Sequence, residues 1–185
     1  FRGNQSVDVP VNGGTLPIGL APASGSVTDT VGFTLEGLQA DSTYVAVVNG
    51  ILQANQNQYE DFEPLSLQVQ RVPSGTGMNN VGVAVNHGSP DAPDVDINET
   101  GVGAGELVPG LSYGSVTNFL SLGVDNYQLE VTPAGADVPV VGRFDAPLSD
   151  LNAGGLDLVV FASGFLDTTN NNNGPEFGLF AAAPG

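Results

Sequence analysis

The chain has 185 residues, 41% of them apolar and none of them cysteine, and its 20 acids face three arginines and no lysine, giving a net charge of −17. That apolar content supports folded cores and argues against disorder, and the lack of cysteine removes disulfides, thiol nucleophiles and thiolate metal sites. A surface this negative repels phosphate backbones and anionic lipid heads, so no nucleic-acid partner and no membrane-surface binding are expected.

No stretch approaches the roughly 18 consecutive apolar residues of a membrane span, so direct membrane insertion is not expected either. The sequence opens on Phe1 rather than Met. That start reads as a processed one and is compatible with a removed secretion signal.

Glycine (26) and proline (13) recur at short intervals, and between them lie runs rich in Val, Leu, Phe and Thr. Short strands joined by turns are written this way. In chain order the clearest are "TYVAVVN" (43–49), "PLSLQVQRV" (64–72), "VGVAVN" (81–86), "YQLEVTP" (127–133) and "LDLVVFAS" (156–163). In the second, Leu65, Leu67 and Val69 alternate with Ser66, Gln68 and Gln70, as in a sheet with one buried and one wet face. No long segment has helical periodicity with caps, so the expected class is all-β.

Internal repetition organises the chain. Residues 16–52 can be laid on residues 127–166, with "APAS" over "TPAG" and "VVNGIL" over "FASGFL". An Asn/Gln-rich loop follows each copy, "QANQNQYEDFEP" (53–64) and "DTTNNNNGPEFG" (167–178), and then a final apolar strand. The expected architecture is two tandem immunoglobulin-like antiparallel β-sandwich domains. Residues 1–73 form an incomplete repeat 1, 74–80 a linker and 81–185 repeat 2. The first domain is expected to lack its leading strands, because nothing in it answers to the stretch that begins at Val81.

"VNHGSPDAPDVDI" (85–97), followed by "VPGLSYGSVTNFLSL", "YQLEVTPAG" and "LDLVVFASGF", resembles a bacterial and archaeal secreted domain, the domain-of-unknown-function family 4397. Its pattern is a strand, Ser-Pro-Asp-Ala-Pro, a Val-Asp-Val strand, a Tyr-Gly turn and a Thr-Pro-Ala-Gly turn. The match covers repeat 2 and, more weakly, the surviving part of repeat 1. The resemblance implies a β-sandwich module used in tandem on exported, often surface-attached proteins, and it brings no catalytic residues.

Several clusters invite a chemical reading. "GLSYG" (110–114) fits the nucleophile-elbow formula with Ser112 as nucleophile, but that elbow needs a following helix and a later histidine. The only histidine, His87, precedes it, so a Tyr-Gly turn is expected. His87 also lacks a second histidine or a cysteine with which to bind zinc, and is expected to be a locally bonded turn or strand-end residue. Asp94, Asp96 and Asn98 imitate the first positions of an EF-hand loop, but Glu99 stands where glycine is needed and Gly105 where a bidentate glutamate is needed. Alternating with Val95 and Ile97, these acids are expected on the wet face of a strand. An improvised calcium site is the one metal candidate. It would form either at Asp94, Asp96 and Asn98 with Asp91 or Glu99 added, or around Asp167, Asn170 to Asn173 and Glu176, and the residues named for it are Asp91, Asp167, Asn170 and Glu176. "NQS" (4–6) and "NET" (98–100) are formal glycosylation sequons.

The functional expectation is a non-enzymatic extracellular structural protein. It would be a tandem sandwich in a surface fibre, filament or adhesin stalk, self-associating head to tail by β-strand complementation and needing no cofactor. The alternative is a calcium- or glycan-binding surface module, with Tyr113 or Tyr127 as a sugar platform.

Overall fold

The computed structural model describes residues 7–10, 14–21 and 30–183. It is all-β: twelve strands and one 3-10 turn, Gln53–Gln58, with no α-helix among the described residues. The strands are β1 (Leu16–Leu20), β2 (Val31–Leu35), β3 (Tyr44–Asn49), β4 (Ser66–Arg71), β5 (Asn80–Gly88), β6 (Val95–Glu99), β7 (Gly105–Leu111), β8 (Leu120–Gly123), β9 (Asn126–Pro133), β10 (Gly142–Pro147), β11 (Asp157–Ser163) and β12 (Gly178–Ala182). The sequon at Asn4 lies outside the described residues.

The second half is sandwich-like. One four-stranded sheet runs β10-β9-β6-β7 and the other β12-β11-β5-β8. Val81, Val83 and Val85 of β5 meet Val95 and Ile97 of β6, Val108 of β7 and Val131 of β9 in one core cluster. Val81 and Val131 are fully buried, each contributing about 1.5–3 kcal/mol through loss of water contact. The expected antiparallel sheets need one correction, because β5 and β11 run parallel, Val83 beside Leu158 and Gly88 beside Ser163. A parallel pair lies between covered faces. Accordingly β5 is buried on both faces from Val81 to His87, and its near-continuous apolar run carries that signal.

The first half consists of two hairpins, β1-β2 and β3-β4, each a separate two-stranded sheet. Their registers repeat those of the second half. Leu20 pairs with Val31 as Val131 pairs with Gly142. Asn49 pairs with Ser66 as Ser163 pairs with Gly178. The chain leaves β3 and β11 in the same way: Gly50 and Gly164 have φ of 98° and 106°, and Ile51 and Phe165 bridge in parallel to Pro64 and Glu176. A Cβ at Gly50 would collide with the Pro64 carbonyl, and one at Gly164 with that of Glu176. Only glycine combines this φ with so close an approach.

The two halves meet through the Asn/Gln-rich loops. Asn171, fully buried, donates from Nδ2 to Asp61 Oδ2 at 3.1 Å and accepts the Asp61 N–H on Oδ1 at 3.1 Å. Tyr59 stacks on Phe165 with ring centroids 5.7 Å apart. Gln70 of β4 donates to the Thr117 carbonyl and to Asn118 Oδ1. Replacing Asn171 with alanine takes the partner from the half-buried Asp61 N–H and from its carboxylate, so a loss of about 1–3 kcal/mol is expected. Chemical denaturation checks it, with the change read as a lower midpoint.

Candidate functional site

The residues between β5 and β6 form a tight turn built around the one histidine. His87 is fully buried. Its Nε2 lies 2.9 Å from the Pro93 carbonyl, which can only accept, and its Nδ1 accepts the Ser89 N–H at 3.4 Å. The partners therefore fix the neutral Nε2–H tautomer. Burial lowers the imidazole pKa below its ordinary 6.5, opposed by the Pro93 carbonyl and the Asp94 charge. The local bonding expected of His87 is present.

The acids around this turn are consumed by hydrogen bonds. Asp91 accepts the Ser89 hydroxyl at 3.1 Å on one oxygen and the Asp167 N–H at 2.7 Å on the other. The turn is thereby tied to the Asn-rich loop after β11. Asp167 in turn caps its own loop, accepting from Thr169 N–H, Asn170 N–H and the Asn170 side-chain amide. Of the four calcium candidates, Asp91, Asp167 and Asn170 are thus brought together by bonds among themselves. Glu176 meets the loop through its backbone, in the bridge with Phe165. Among the described residues no group of three or more His, Asp or Glu could hold a metal ion.

The expected wet face of β6 is wet only in part: Asp94, just before the strand, is exposed and Asn98 half-exposed, but Asp96 is buried. Glu99, on the opposite face with Val95 and Ile97, is buried as well. β6 lies between β7 and β9, which pair its two edges; Val95 and Ile97 on one face enter the core cluster, while Asp96 on the other is buried. Asp96 accepts the Gly110 N–H at 2.6 Å and the Gly135 N–H at 2.8 Å. One carboxylate so joins an irregular stretch of the β6-β7 ladder to the Thr-Pro-Ala-Gly turn. Asn98, the sequon asparagine, sits in this central strand within 3.5 Å of the Thr132 hydroxyl.

Glu99 is the most heavily bonded side chain. Its two oxygens accept from Gly101, Val102, Gly103, Ala104 and Gln128 N–H groups at 2.7–3.1 Å. Burial alone would raise its pKa, but the backbone donors outweigh it and hold the carboxyl at about 2 against an ordinary 4.5. In the sequence alone Glu99 reads only as a spare calcium oxygen. The signal for its role is the glycine-rich "TGVGAG" that follows, a chain able to curl its N–H groups around an anion.

The remaining candidates resolve simply. Ser112 lies exposed just after β7, in a turn with no helix behind it. Tyr127 is a core residue whose hydroxyl donates to the Gly123 carbonyl at 2.9 Å. Tyr113 is half-buried, edge-on to His87 at 6.1 Å, and burial with the nearby Glu63 charge raises its hydroxyl to about 12. Neither tyrosine is the open sugar platform expected of it.

What the region can do chemically is hold loops. Its carboxylates meet backbone donors, and its histidine is locked neutral between a carbonyl and an N–H. The Ser-Pro-Asp-Ala-Pro turn, Asp96 and Glu99 and the Thr-Pro-Ala-Gly turn form one connected segment around the β5–β10 core. Residues 81–150 match the family model described as Domain of unknown function (DUF4397). The DUF4397 segment begins inside β5 and ends just past β10, so it contains the Ser-Pro-Asp-Ala-Pro, Tyr-Gly and Thr-Pro-Ala-Gly motifs of the resemblance but not "LDLVVFASGF" (156–165). β11, β12 and the whole first half lie outside it. No curated protein and no solved structure matches the chain.

Proposed function

We propose that the chain is a non-enzymatic structural module of an extracellular or cell-surface assembly. It is a tandem repeat of one sandwich-like unit, and its copies associate head to tail. The observation that carries this reading is the matched pair of half-units: the same hairpin registers, the same glycine exit and the same parallel bridge occur twice. Repeated units joined through hydrogen-bonded loops span distance, which is what a stalk or fibre requires. The commitment of the buried carboxylates to backbone N–H groups supports a load-resisting role over a catalytic one. Net charge of −17 keeps separate copies apart at low salt, and a Debye length of about 10 Å at 0.1 M salt relaxes that repulsion. Sedimentation across a salt and concentration series tests the reading. Species larger than the 18.8 kDa chain, growing with salt and visible as filaments by electron microscopy, are expected. A strict monomer at every salt and protein concentration overturns it.

A further inference from the structure

His87 stands at the head of a hydrogen-bond path that ends at the junction of the two halves. The path begins where its Nδ1 accepts the Ser89 N–H. The Ser89 hydroxyl donates to Asp91 Oδ1, and Asp91 Oδ2 accepts the Asp167 N–H. The Asp167 carbonyl accepts from Asn171 Nδ2 at 2.9 Å, and the Asn171 side chain holds Asp61 of the first half. Beside that contact the Glu60 N–H donates to the Asn170 carbonyl at 3.2 Å. A second route is shorter and runs through the main chain. The His87 carbonyl accepts the Gly114 N–H at 2.7 Å, and the Gly114 carbonyl accepts from Asn49 Nδ2 of β3 at 3.4 Å.

The head of the path accommodates only the neutral ring. The Ser89 N–H points at Nδ1 and the Pro93 carbonyl takes the Nε2 proton. A second proton would set donor against donor in a side chain without solvent contact. The titratable groups around the ring and its path are Asp94 and Asp91 on the same turn, Asp167 on the loop after β11, Tyr113 edge-on from the β7–β8 connection, and Glu63 and Asp61 of the first half. The carboxylates of β6 are turned elsewhere, Asp96 to Gly110 and Gly135 and Glu99 to its own loop. β11 sets uncharged Ala162 beside His87. Burial outweighs the Pro93 carbonyl and the Asp94 charge, so the ring is neutral while the turn is closed and takes its second proton more readily once the turn opens.

We infer that His87 is a pH-sensitive latch on the junction: a second proton on its ring opens the Ser-Pro-Asp-Ala-Pro turn, draws Asp91 away from Asp167 and loosens the first half from the second, while the sandwich core stays folded. The latch works through contacts inside one chain, so it goes beyond the structural reading above and stands whether or not copies associate. Its direction follows from proton linkage. The closed turn holds the ring below 6.5 and the open turn releases it to that ordinary value, so the latch is closed above 6.5 and opens as pH falls below it. Glu99 keeps its full contribution above 4.5, which leaves the interval between 6.5 and 5 to the histidine.

The test is amide hydrogen exchange on the whole chain from pH 7.5 to 5, read residue by residue by nuclear magnetic resonance and corrected for the intrinsic rate. Protection of the Glu60, Asp61 and Asp167 amides is expected to fall about tenfold or more by pH 5, while the amides of β6 and β9 keep theirs. His87→Gln retains a donor and an acceptor but takes no proton in this range, so its junction protection stays level across the series. Asp91→Ala cuts the path below the histidine. Its junction amides are weakly protected already at pH 7.5 and no longer respond to pH. Junction protection that ignores pH in the native chain, or that falls equally in His87→Gln, overturns the latch. So does an Asp91→Ala chain with native protection and the native pH response, and that variant decides the matter if the glutamine chain fails to fold. Joint loss of junction and core protection assigns His87 to the stability of the fold alone and overturns the latch as well.

Discussion

Glu99→Gln is expected to lower the unfolding temperature more than the same carboxylate-to-amide change at any exposed acid, and to release the amides of residues 101–104 to exchange. Five N–H groups converge on the native carboxylate. An amide keeps one oxygen for them and turns an NH2 toward the rest, so donors face donors and the loop opens. The pH dependence follows from the same bonds. A carboxyl depressed from 4.5 to about 2 in the folded state contributes stability that is fully present above 4.5. That contribution drains away as pH falls toward about 2, because the unfolded chain binds the proton first. The substituted chain lacks this window, so its acid unfolding curve is flatter below pH 4.5. Identical acid curves for the two chains, measured by circular dichroism, would show that the loop is held by something other than the carboxylate.

The strands that alternation marks most clearly in the sequence are found where expected: residues 43–49 hold β3, 64–72 hold β4, and 127–133 and 156–163 hold most of β9 and β11. Local pattern suffices for these because a side-chain period of two is a property of one strand alone. The direction in which β5 meets β11 is not local. It depends on the route of all the chain between them, and the sequence carries it only as the unbroken apolar run of β5. The roles of Asp96 and Glu99 were hidden for a related reason. Alternation with Val95 and Ile97 reads as one wet face, yet Asp96 on that face is buried and captures the Gly110 and Gly135 N–H groups. Glu99 stands on the opposite face, with Val95 and Ile97, and captures the N–H groups of the 101–104 loop. A charge in such a place survives only where several donors meet it. The glycines that supply those donors were visible in the sequence, but their convergence on an acid was not.

His87→Phe is expected to cost about 1–3 kcal/mol although the new ring occupies similar space, because the Ser89 N–H, in a residue without solvent contact, and the Pro93 carbonyl lose their partner. Phenylalanine restores the packing and neither bond, so the loss reports hydrogen bonding rather than a cavity. The native histidine adds its own pH dependence. Its folded pKa lies below 6.5 through burial, so the unfolded chain takes up a proton at a pH where the folded one does not. Stability therefore falls as pH drops below about 6.5 and through the lower folded value. A proton on Nδ1 would also turn a donor toward the Ser89 N–H that it now accepts. Acid should weaken the native chain in two stages, the first from His87 and the second from Glu99 below 4.5. Denaturant midpoints measured from pH 8 to 3 in both single variants separate the stages. The histidine variant loses only the first and the glutamine variant only the second, and a first stage that persists without His87 must belong to another group.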